Sequence, residues 1–596
     1  MSVWGQKSGQ LATSSDRDFE RLVLPLLHAC WPNLVQPPPR KKLDNYGIDL
    51  VEWDDSLTFP CVVQCKGLYA HELLIRDQLP QIRHSIAAFL ESPCRCEEYV
   101  LVHNRTGEES DAREAIAAEL KKLVEVGKAQ RVYLWDRQKL LQRTEKCLKK
   151  MIEDRVARRA ADRLHQQRSY FLFGDVFVED VPAQLVTWRF TTLENFEVAE
   201  VAPGHFDLPT LIGSVKNRKW TLLVGHFGVG KSTMALQSSS AVGSGLVYVR
   251  ADELPNEAGS VGTNYLMQNI LRSLELFKDL KPESAVELER LAGTLLRKIL
   301  CNPEKNLVLI IDALDESPTY ASAPGLVQLT NELEELRSPV VLVTRKEHFD
   351  STYGNFETVM EHLTRKDLST KRGKTRDATI LELLAWTPVE VVRFLEQCLA
   401  RCDEDERPGV ANLLEAARSG QLAKLFKELH AHPLFLQMLV EVTAEDGEIP
   451  GNSALLIWKW TKQKIKRDLR SGRATPWGVE DTGVFVDEMM RLMAEVAAAT
   501  LRKEEGRPIL SESLPDNVVL DLVPEHYRST ANISTIAATS LLVPASKRST
   551  AGTPIRFYHR VLQEFYLAVY VKTNGLDHPL PDEVRFWLHE LENVEL

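Results

Sequence analysis

Between Trp220 and Thr233 the chain reads WTLLVGHFGVGKST. An apolar strand, Trp220–Val224, runs into a glycine-rich turn and then into Lys231-Ser232 opening a helix. This is G-x-x-x-x-G-K-[ST] in the strand–loop–helix setting that gives the pattern its chemistry. Glycines let successive backbone N–H groups converge on phosphate oxygens, and the helix dipole favours the anion. Lys231 adds a point charge near the terminal phosphates, and Ser232 is placed to hold Mg²⁺. Gly225, Phe227, Gly228, Val229, Gly230, Lys231, Ser232 and Thr233 are the expected nucleotide contacts. The ligand that fits is a nucleoside triphosphate.

A second acidic string belongs with it. Leu307–Ile311 is a continuous apolar run of the kind a fully buried strand shows, ending in Asp312-Ala313-Leu314-Asp315-Glu316. Carboxylates at the C-terminal end of such a strand face the phosphate loop of a doubly wound sheet. Asp312 is expected to bind Mg²⁺ through water, and Asp315 or Glu316 to orient the attacking water. Another buried run, Val340–Val343, ends at Thr344-Arg345 and puts a cation within reach of a terminal phosphate.

A different constellation lies near the N-terminus. Asp18-Phe19-Glu20 opens a helix with apolar residues at 19, 22, 23, 26 and 27. After the prolines at 37–39, Gly47–Val51 reads as a strand carrying Asp49, and Cys61–Lys66 as a second strand. Alternation along that strand puts Gln64 and Lys66 on one face and Cys65 on the other. Antiparallel pairing through a turn at Asp54-Asp55-Ser56 would bring Asp49, Gln64 and Lys66 together. Asp49, the Gln64 carbonyl and a peptide carbonyl can ligate Mg²⁺, and Lys66 can steady or deprotonate an attacking water. The set suits phosphodiester hydrolysis. Arg40-Lys41-Lys42 reads equally as a phosphate-contacting cluster or a solvated loop.

These residues need several supporting domains. At 596 residues the chain exceeds a single core. With 26% charged and 44% hydrophobic residues it is globular, neither disordered nor fibrous. No apolar run reaches the roughly 20 residues of a membrane span, and the opening MSVWGQKSGQ is no signal peptide. Nine scattered cysteines, without a C-x-x-C pair, point to reduced thiols and a cytoplasmic location. A formal net charge of −11 confines any nucleic-acid contact to local basic patches. The charged stretch Asp136–Arg168 is expected to be helical, as a solvated connector or a face that meets nucleic acid. Thr387-Pro388-Val389-Glu390 has the form of a capped helix start.

The phosphate loop, LVLIIDALDE and VVLVTR resemble the NACHT branch of the STAND NTPases. His432-Pro433-Leu434-Phe435-Leu436 resembles that family's helical-domain proline motif, which implies that Pro433 packs near adenine. Phe557-Tyr558-His559-Arg560, followed by Gln563-Glu564-Phe565-Tyr566, resembles the end of its winged helix. There His559 is implied to reach the β-phosphate of ADP. Ala313 departs from the glycine common at that place. The G-x-D … Q-x-K arrangement resembles the Mrr-like PD-(D/E)xK nucleases, and Glu20 falls where that family's first helix contributes an acid. Tyr99–Val102 and Val132–Asp136 are similar to its later core strands.

The resemblance implies an α/β multidomain chain: a restriction-endonuclease-like domain (1–140), a charged helical linker (141–174) and a P-loop doubly wound parallel sheet (175–380). A helical domain (381–475), a winged-helix domain (476–575) and a tail (576–596) follow, the tail being the possible start of a sensor. The implied function is antiviral defence. ATP binding and a trigger, such as a phage protein, would drive homo-oligomerisation to a tetramer or larger. This would activate a metal-dependent endonuclease on double-stranded DNA. Its cofactors would be ATP/ADP and Mg²⁺, with Mn²⁺ as an alternative at the nuclease site; no membrane is involved. The competing readings are a switch scaffold whose first domain binds DNA or protein without cleaving, and an ATP-driven restriction enzyme that moves along DNA.

Overall fold

The computed structural model describes residues 3–14, 16–37, 43–52, 57–67, 79–105, 110–169, 171–176, 178, 180–190, 196–207, 220–226, 228–241, 246–254, 263–302, 307–317, 319–334, 336–353, 377–470, 481–504, 507–511, 513–528, 536, 541–544, 555–557, 559–575, 579–592 and 594. Phe227, Tyr558, Arg40–Lys42 and the Asp54–Ser56 turn lie outside the described residues. The chain divides into two compact units that do not follow chain order. The first is Met1–Arg158 with Glu257–Asn306 and Glu335–Arg337; the second is Arg159–Asn256 with Leu307–Glu334 and Ser338–Leu596. Among the described residues no helix is long and apolar enough to cross a membrane.

The first unit is built on a sheet ordered β1-β2-β3-β4-β5, from β1 (Leu34–Val35), β2 (Leu50–Glu52), β3 (Thr58–Lys66), β4 (Arg95–His103) and β5 (Ala129–Trp135). β2 and β3 pair antiparallel, with Leu50 opposite Val63, as the sequence predicts. β2 starts at Leu50, not at Gly47. Gly47 has φ +72°, and a Cβ there would lie 2.6 Å from the Ser85 carbonyl, so a left-handed turn and a close backbone approach occupy the predicted first turn of strand. β3–β4 and β4–β5 are parallel, and parallel neighbours need crossovers. α3 (Leu79–Glu91) and α4 (Ser110–Glu125) supply them, burying Ile82, Ile86, Phe89 and Ile116 with Val62, Tyr99 and Leu101.

Two further helices complete the unit, α1 (Val3–Thr13) and α2 (Asp16–His28). In α2, Phe19, Val23, Leu26 and Leu27 are fully buried on one helical stripe. The helices Thr263–Ser273 and Pro282–Leu300, which the sequence places with the nucleotide sheet, pack in this unit. Trp4 Nε1 donates to Thr294 Oγ1 at 2.9 Å, and Lys7 pairs with Glu287 at 2.8 Å. The charged stretch forms one helix, α5 (Arg137–Arg168); Asp136 caps it by accepting from the Lys139 N–H at 2.7 Å.

The second unit holds a seven-stranded sheet. Its strands are β6 (Asp180–Phe190), β7 (Phe196–Asp207), β8 (Trp220–Gly225), β9 (Leu246–Arg250), β10 (Val308–Asp312), β11 (Val340–Val343) and β12 (Asp377–Leu383). They run in the order β7-β6-β12-β8-β11-β10-β9. From β12 to β9 every pairing is parallel, whereas β6 and β7 add an antiparallel hairpin at one edge. The buried apolar runs β10 and β11 are interior strands, each paired on both sides, and every residue of both is buried.

C-terminal to the sheet the chain is mostly helical. The helix Pro388–Arg401 starts with the predicted capping box: Thr387 N–H donates to Glu390 at 2.8 Å, and Val389 N–H to the Thr387 hydroxyl at 3.3 Å. Two hairpins, β13 (Leu501–Glu504) with β14 (Arg507–Leu510) and β15 (Leu542–Pro544) with β16 (Ile555–Phe557), sit between the helices Thr482–Ala499 and Arg560–Asn574. The tail helix Asp582–Leu591 buries Val584, Trp587 and Leu591. Trp587 stacks on Phe435 at 6.4 Å and meets Phe565 edge-on at 5.7 Å, so this segment closes the helical core.

Candidate functional site

The phosphate loop joins β8 to α6 (Lys231–Ala241). Gly228 and Gly230 have φ of +76° and +93°, a conformation that side chains disfavour. Gly225 is needed for a different reason: a Cβ there would lie 2.8 Å from the Leu383 carbonyl and 2.9 Å from Val229 Cγ2. Lys231 Nζ donates to the carbonyls of Gly225 at 2.7 Å and His226 at 2.9 Å, bracing the loop. Burial lowers the Lys231 ammonium to about 8, opposed by Asp315, with Arg345 pushing further down.

Because β11 lies between β8 and β10, the β10 carboxylates approach the loop past the end of β11, where Thr344 and Arg345 stand. Asp312 is 1% exposed; it accepts from the Tyr248 hydroxyl at 2.6 Å and from the Ala313 N–H at 2.8 Å. Burial pushes its carboxyl up, against the pull of Arg250 and hydrogen bonds from Tyr248 and Ser232. Asp312 and Ser232, the expected Mg²⁺ pair, are therefore adjacent. Both are oxygen donors, a set that fits Mg²⁺. Ala313 takes up the left-handed conformation, φ 58° and ψ 48°, that explains why glycine is favoured at this place.

Asp315 and Glu316 are held by arginines. Asp315 takes the Arg345 Nε at 2.9 Å and accepts from the Thr344 hydroxyl at 3.3 Å. Glu316 meets Arg250, Arg345 at 3.3 Å and Arg556 at 3.2 Å. Burial alone would raise the Glu316 carboxyl, but these three guanidinium groups hold it well below the usual carboxylate range. Arg556 also pairs with Asp252 at 3.0 Å. Sequence reasoning missed Tyr248, Arg250, Asp252 and Arg556. Arg250 ends a buried strand, the same signal that picks out Arg345; Arg556 sits between two apolar residues and carries no signal.

One late segment meets the loop within this unit, and a second, carrying Arg556, meets Glu316. His432-Pro433 starts the helix Pro433–Asp446, and Leu434 N–H donates to the Gly228 carbonyl at 3.3 Å. A Cβ on Gly228 would touch His432 and Leu434 at 3.5 Å, so the proline motif packs directly on the phosphate loop. His559 immediately precedes the helix Arg560–Asn574. Burial takes its imidazole down to about 3; Glu316 opposes this, and Arg345, Arg250 and Lys231 reinforce it. The His559 ring thus feels the charges of the loop and of the arginine cluster together, and it is neutral at ordinary pH.

In the first unit, Asp49 Oδ2 accepts from the Cys65 N–H at 2.7 Å, fixing the carboxylate beside the strand that bears Gln64 and Lys66. Glu20 acts on the same neighbourhood: Cys65, raised chiefly by burial, also feels Asp49 and Glu20, and Lys66 in the opposite sense. Gln64 is fully buried, and the Tyr99 hydroxyl donates to its Oε1 at 3.2 Å. Its other amide atom, Nε2, is buried without a hydrogen-bond partner. A half-turn of the amide would let Tyr99 accept from nitrogen and leave the oxygen to a cation, which is compatible with Mg²⁺ beside Asp49. Among the described residues no three His, Cys, Asp or Glu side chains group as a metal site. Any cation here would therefore rest on the Asp49 carboxylate, the Gln64 amide and backbone oxygen.

No protein-family model and no curated protein matches the chain. Among solved structures it is similar to the Walker-type ATPase PABY2304 of Pyrococcus abyssi, at 13% identity and TM-score 0.28, covering 59% of this chain and 92% of that one. The ORC2 protein of Aeropyrum pernix in its ADP form is similar at 14% identity and TM-score 0.23, covering 61% and 93%. A RuvB variant of Thermotoga maritima is similar at 14% and 0.22, covering 51% and 90%. At these scores the likeness adds nothing to the chain's own geometry. A P-loop nucleotide-binding fold stands on the glycine conformations, the braced Lys231 and the parallel strands that bring Asp312 to Ser232.

Proposed function

We propose that the second unit is an ATP/ADP-dependent switch of the NACHT/STAND kind, and that it controls a metal-dependent nuclease in the first. The observation that carries the switch is the packing of the His432–Leu434 segment on the phosphate loop, together with the pairing of Arg556, three residues before His559, with Glu316. Elements that pack on a nucleotide's own site can respond to which nucleotide is there, provided ATP and ADP differ in affinity for the two arrangements. ADP would favour the closed arrangement through His559. ATP and a trigger, such as a phage component, would favour release and homo-oligomerisation. Asp312 and Ser232 would hold Mg²⁺, Arg345 would sense the terminal phosphate, and Asp315 or Glu316, once freed from arginine, would orient water.

In the first unit, Asp49 and Gln64 would hold Mg²⁺ or Mn²⁺, Lys66 would serve the attacking water, and Glu20 would add an acid, with double-stranded DNA as substrate. A second reading, that the first unit binds DNA or protein without cleaving, is favoured by the full burial of Gln64 against Tyr99. The two are separated by measuring plasmid cleavage with Mg²⁺, ATP and trigger for Lys66→Ala and Lys231→Ala. Loss of cleavage in both is expected. Cleavage undiminished by Lys66→Ala rejects the nuclease assignment, and undiminished by Lys231→Ala rejects nucleotide control.

A further inference from the structure

The cations of α5 fall into two classes. Arg155 donates to the Leu274 carbonyl at 2.6 Å, Arg159 pairs with Glu253 at 3.3 Å, and Arg163 pairs with the same carboxylate. These guanidinium groups are used within the fold. Lys139, Arg143, Lys146 and Lys150 follow one another at steps of four, three and four residues, so they share one face of the helix. Arg143, Lys146 and Lys150 are exposed and Lys139 half-buried, with the exposed Lys149 flanking them. Cys147, in their midst, has its thiol held down to about 7. A hydrogen bond with Cys30 is the largest cause, burial opposes it, and Arg143, Lys146 and Lys150 add to it. Among the nearest acids, Glu145 meets Lys298 at 3.8 Å, and Glu153 and Asp154, three and four residues beyond Lys150, bound the stripe at that end.

We propose that this stripe, Lys139, Arg143, Lys146 and Lys150, docks the phosphate backbone of double-stranded DNA. The inference rests on the reading of the first unit as one that engages DNA, and it names where that unit holds the duplex. Four cations spaced about 4.5–6 Å apart along a rigid helix match a linear array of phosphates and read no sequence. A helix that seeks a lipid surface needs a free apolar face to insert. The apolar face of α5, with Leu140, Leu148, Ile152 and Val156, is already buried in the protein. The stripe is also a local exception in a chain of net charge −11, as electrostatic binding to DNA here requires.

The test uses the full chain in EDTA, with fluorescence anisotropy on a labelled duplex of about 30 base pairs across a salt series. For K146A/K150A we expect binding more than tenfold weaker at about 0.1 M salt, and a log–log salt slope shallower by about 2. K121E, an equal change in net charge at an exposed site on α4, is expected to bind as wild type. Unchanged affinity and slope in K146A/K150A would overturn the proposal. So would tighter binding to phosphatidylserine vesicles that duplex DNA fails to displace. Lys66→Ala separates this inference from the nuclease reading. If that variant still cleaves with metal while K146A/K150A loses binding, the nuclease assignment fails and the stripe stands. If it binds but does not cleave, both stand.

Discussion

Lys231 shows how much the loop asks of one side chain. Its ammonium, brought down to about 8 by burial, is charged at neutral pH but loses its proton well before a free lysine would. In the unliganded protein, raising the pH through the window from 8 towards 10.5 removes the proton from the folded state first, so this group then favours folding. Nucleotide binding has the opposite preference, since phosphate oxygens need the charged form. ATP affinity is therefore expected to fall roughly tenfold between about pH 7 and about pH 9, with one proton taken up per nucleotide bound above the lysine's pKa. Isothermal titration in buffers of different ionisation heat measures both. Lys231→Ala should bind weakly and show no such slope; a flat wild-type profile would remove Lys231 from the phosphate contacts.

At the scale of the element, the strand β16 matters through one residue. Arg556 spans to Glu316 and Asp252, 240 positions from Glu316 in sequence. Removing one member of a buried ionic cluster leaves its partners uncompensated, at a cost of about 3–5 kcal/mol. Arg556→Ala should therefore raise the hydrogen exchange of the Ile555–Phe557 amides and the ATPase rate together, because Glu316 loses one of its guanidinium partners. Unaltered exchange and turnover would mean that Arg250 and Arg345 suffice. No inspection of the sequence would have found this contact. The strands β10 and β11 were legible because each is built on a continuous apolar run, β8 because its largely apolar run leads into the glycine-rich turn, and the Thr387 cap because its partner is only three residues away. The order β12-β8-β11-β10-β9 and the position of a distant hairpin are properties of packing, which neither composition nor periodicity encodes. The same limit hid the left-handed turn at Gly47, set by the approach of Ser85, and the burial of Gln64 against Tyr99.

For the whole molecule, the route of the chain makes a testable link. It leaves the nucleotide sheet at the end of β9, forms the helices Thr263–Ser273 and Pro282–Leu300 in the first unit, and returns at β10, the strand that carries Asp312. The second of those helices is fastened to α1 by Trp4–Thr294 and Lys7–Glu287. A ligand that stabilises β10 and its acidic end therefore bears on segments covalently continuous with the first unit. Saturating nucleotide, at about 100 times its Kd, adds roughly 2.7 kcal/mol to whatever unfolds together with its site. Amides of α1 and α2 should then exchange more slowly with ATP present in the wild type, and at an unchanged rate in Lys231→Ala. Trp4→Ala combined with Lys7→Ala should abolish the response while leaving ATP binding intact, since neither residue belongs to the nucleotide site. If protection by ATP stops at residue 254 and resumes at 307, sparing α1, α2 and both inserted helices, the two units unfold independently. The chain's detour would then be a matter of packing alone, and nucleotide control of the first unit would have to act through assembly.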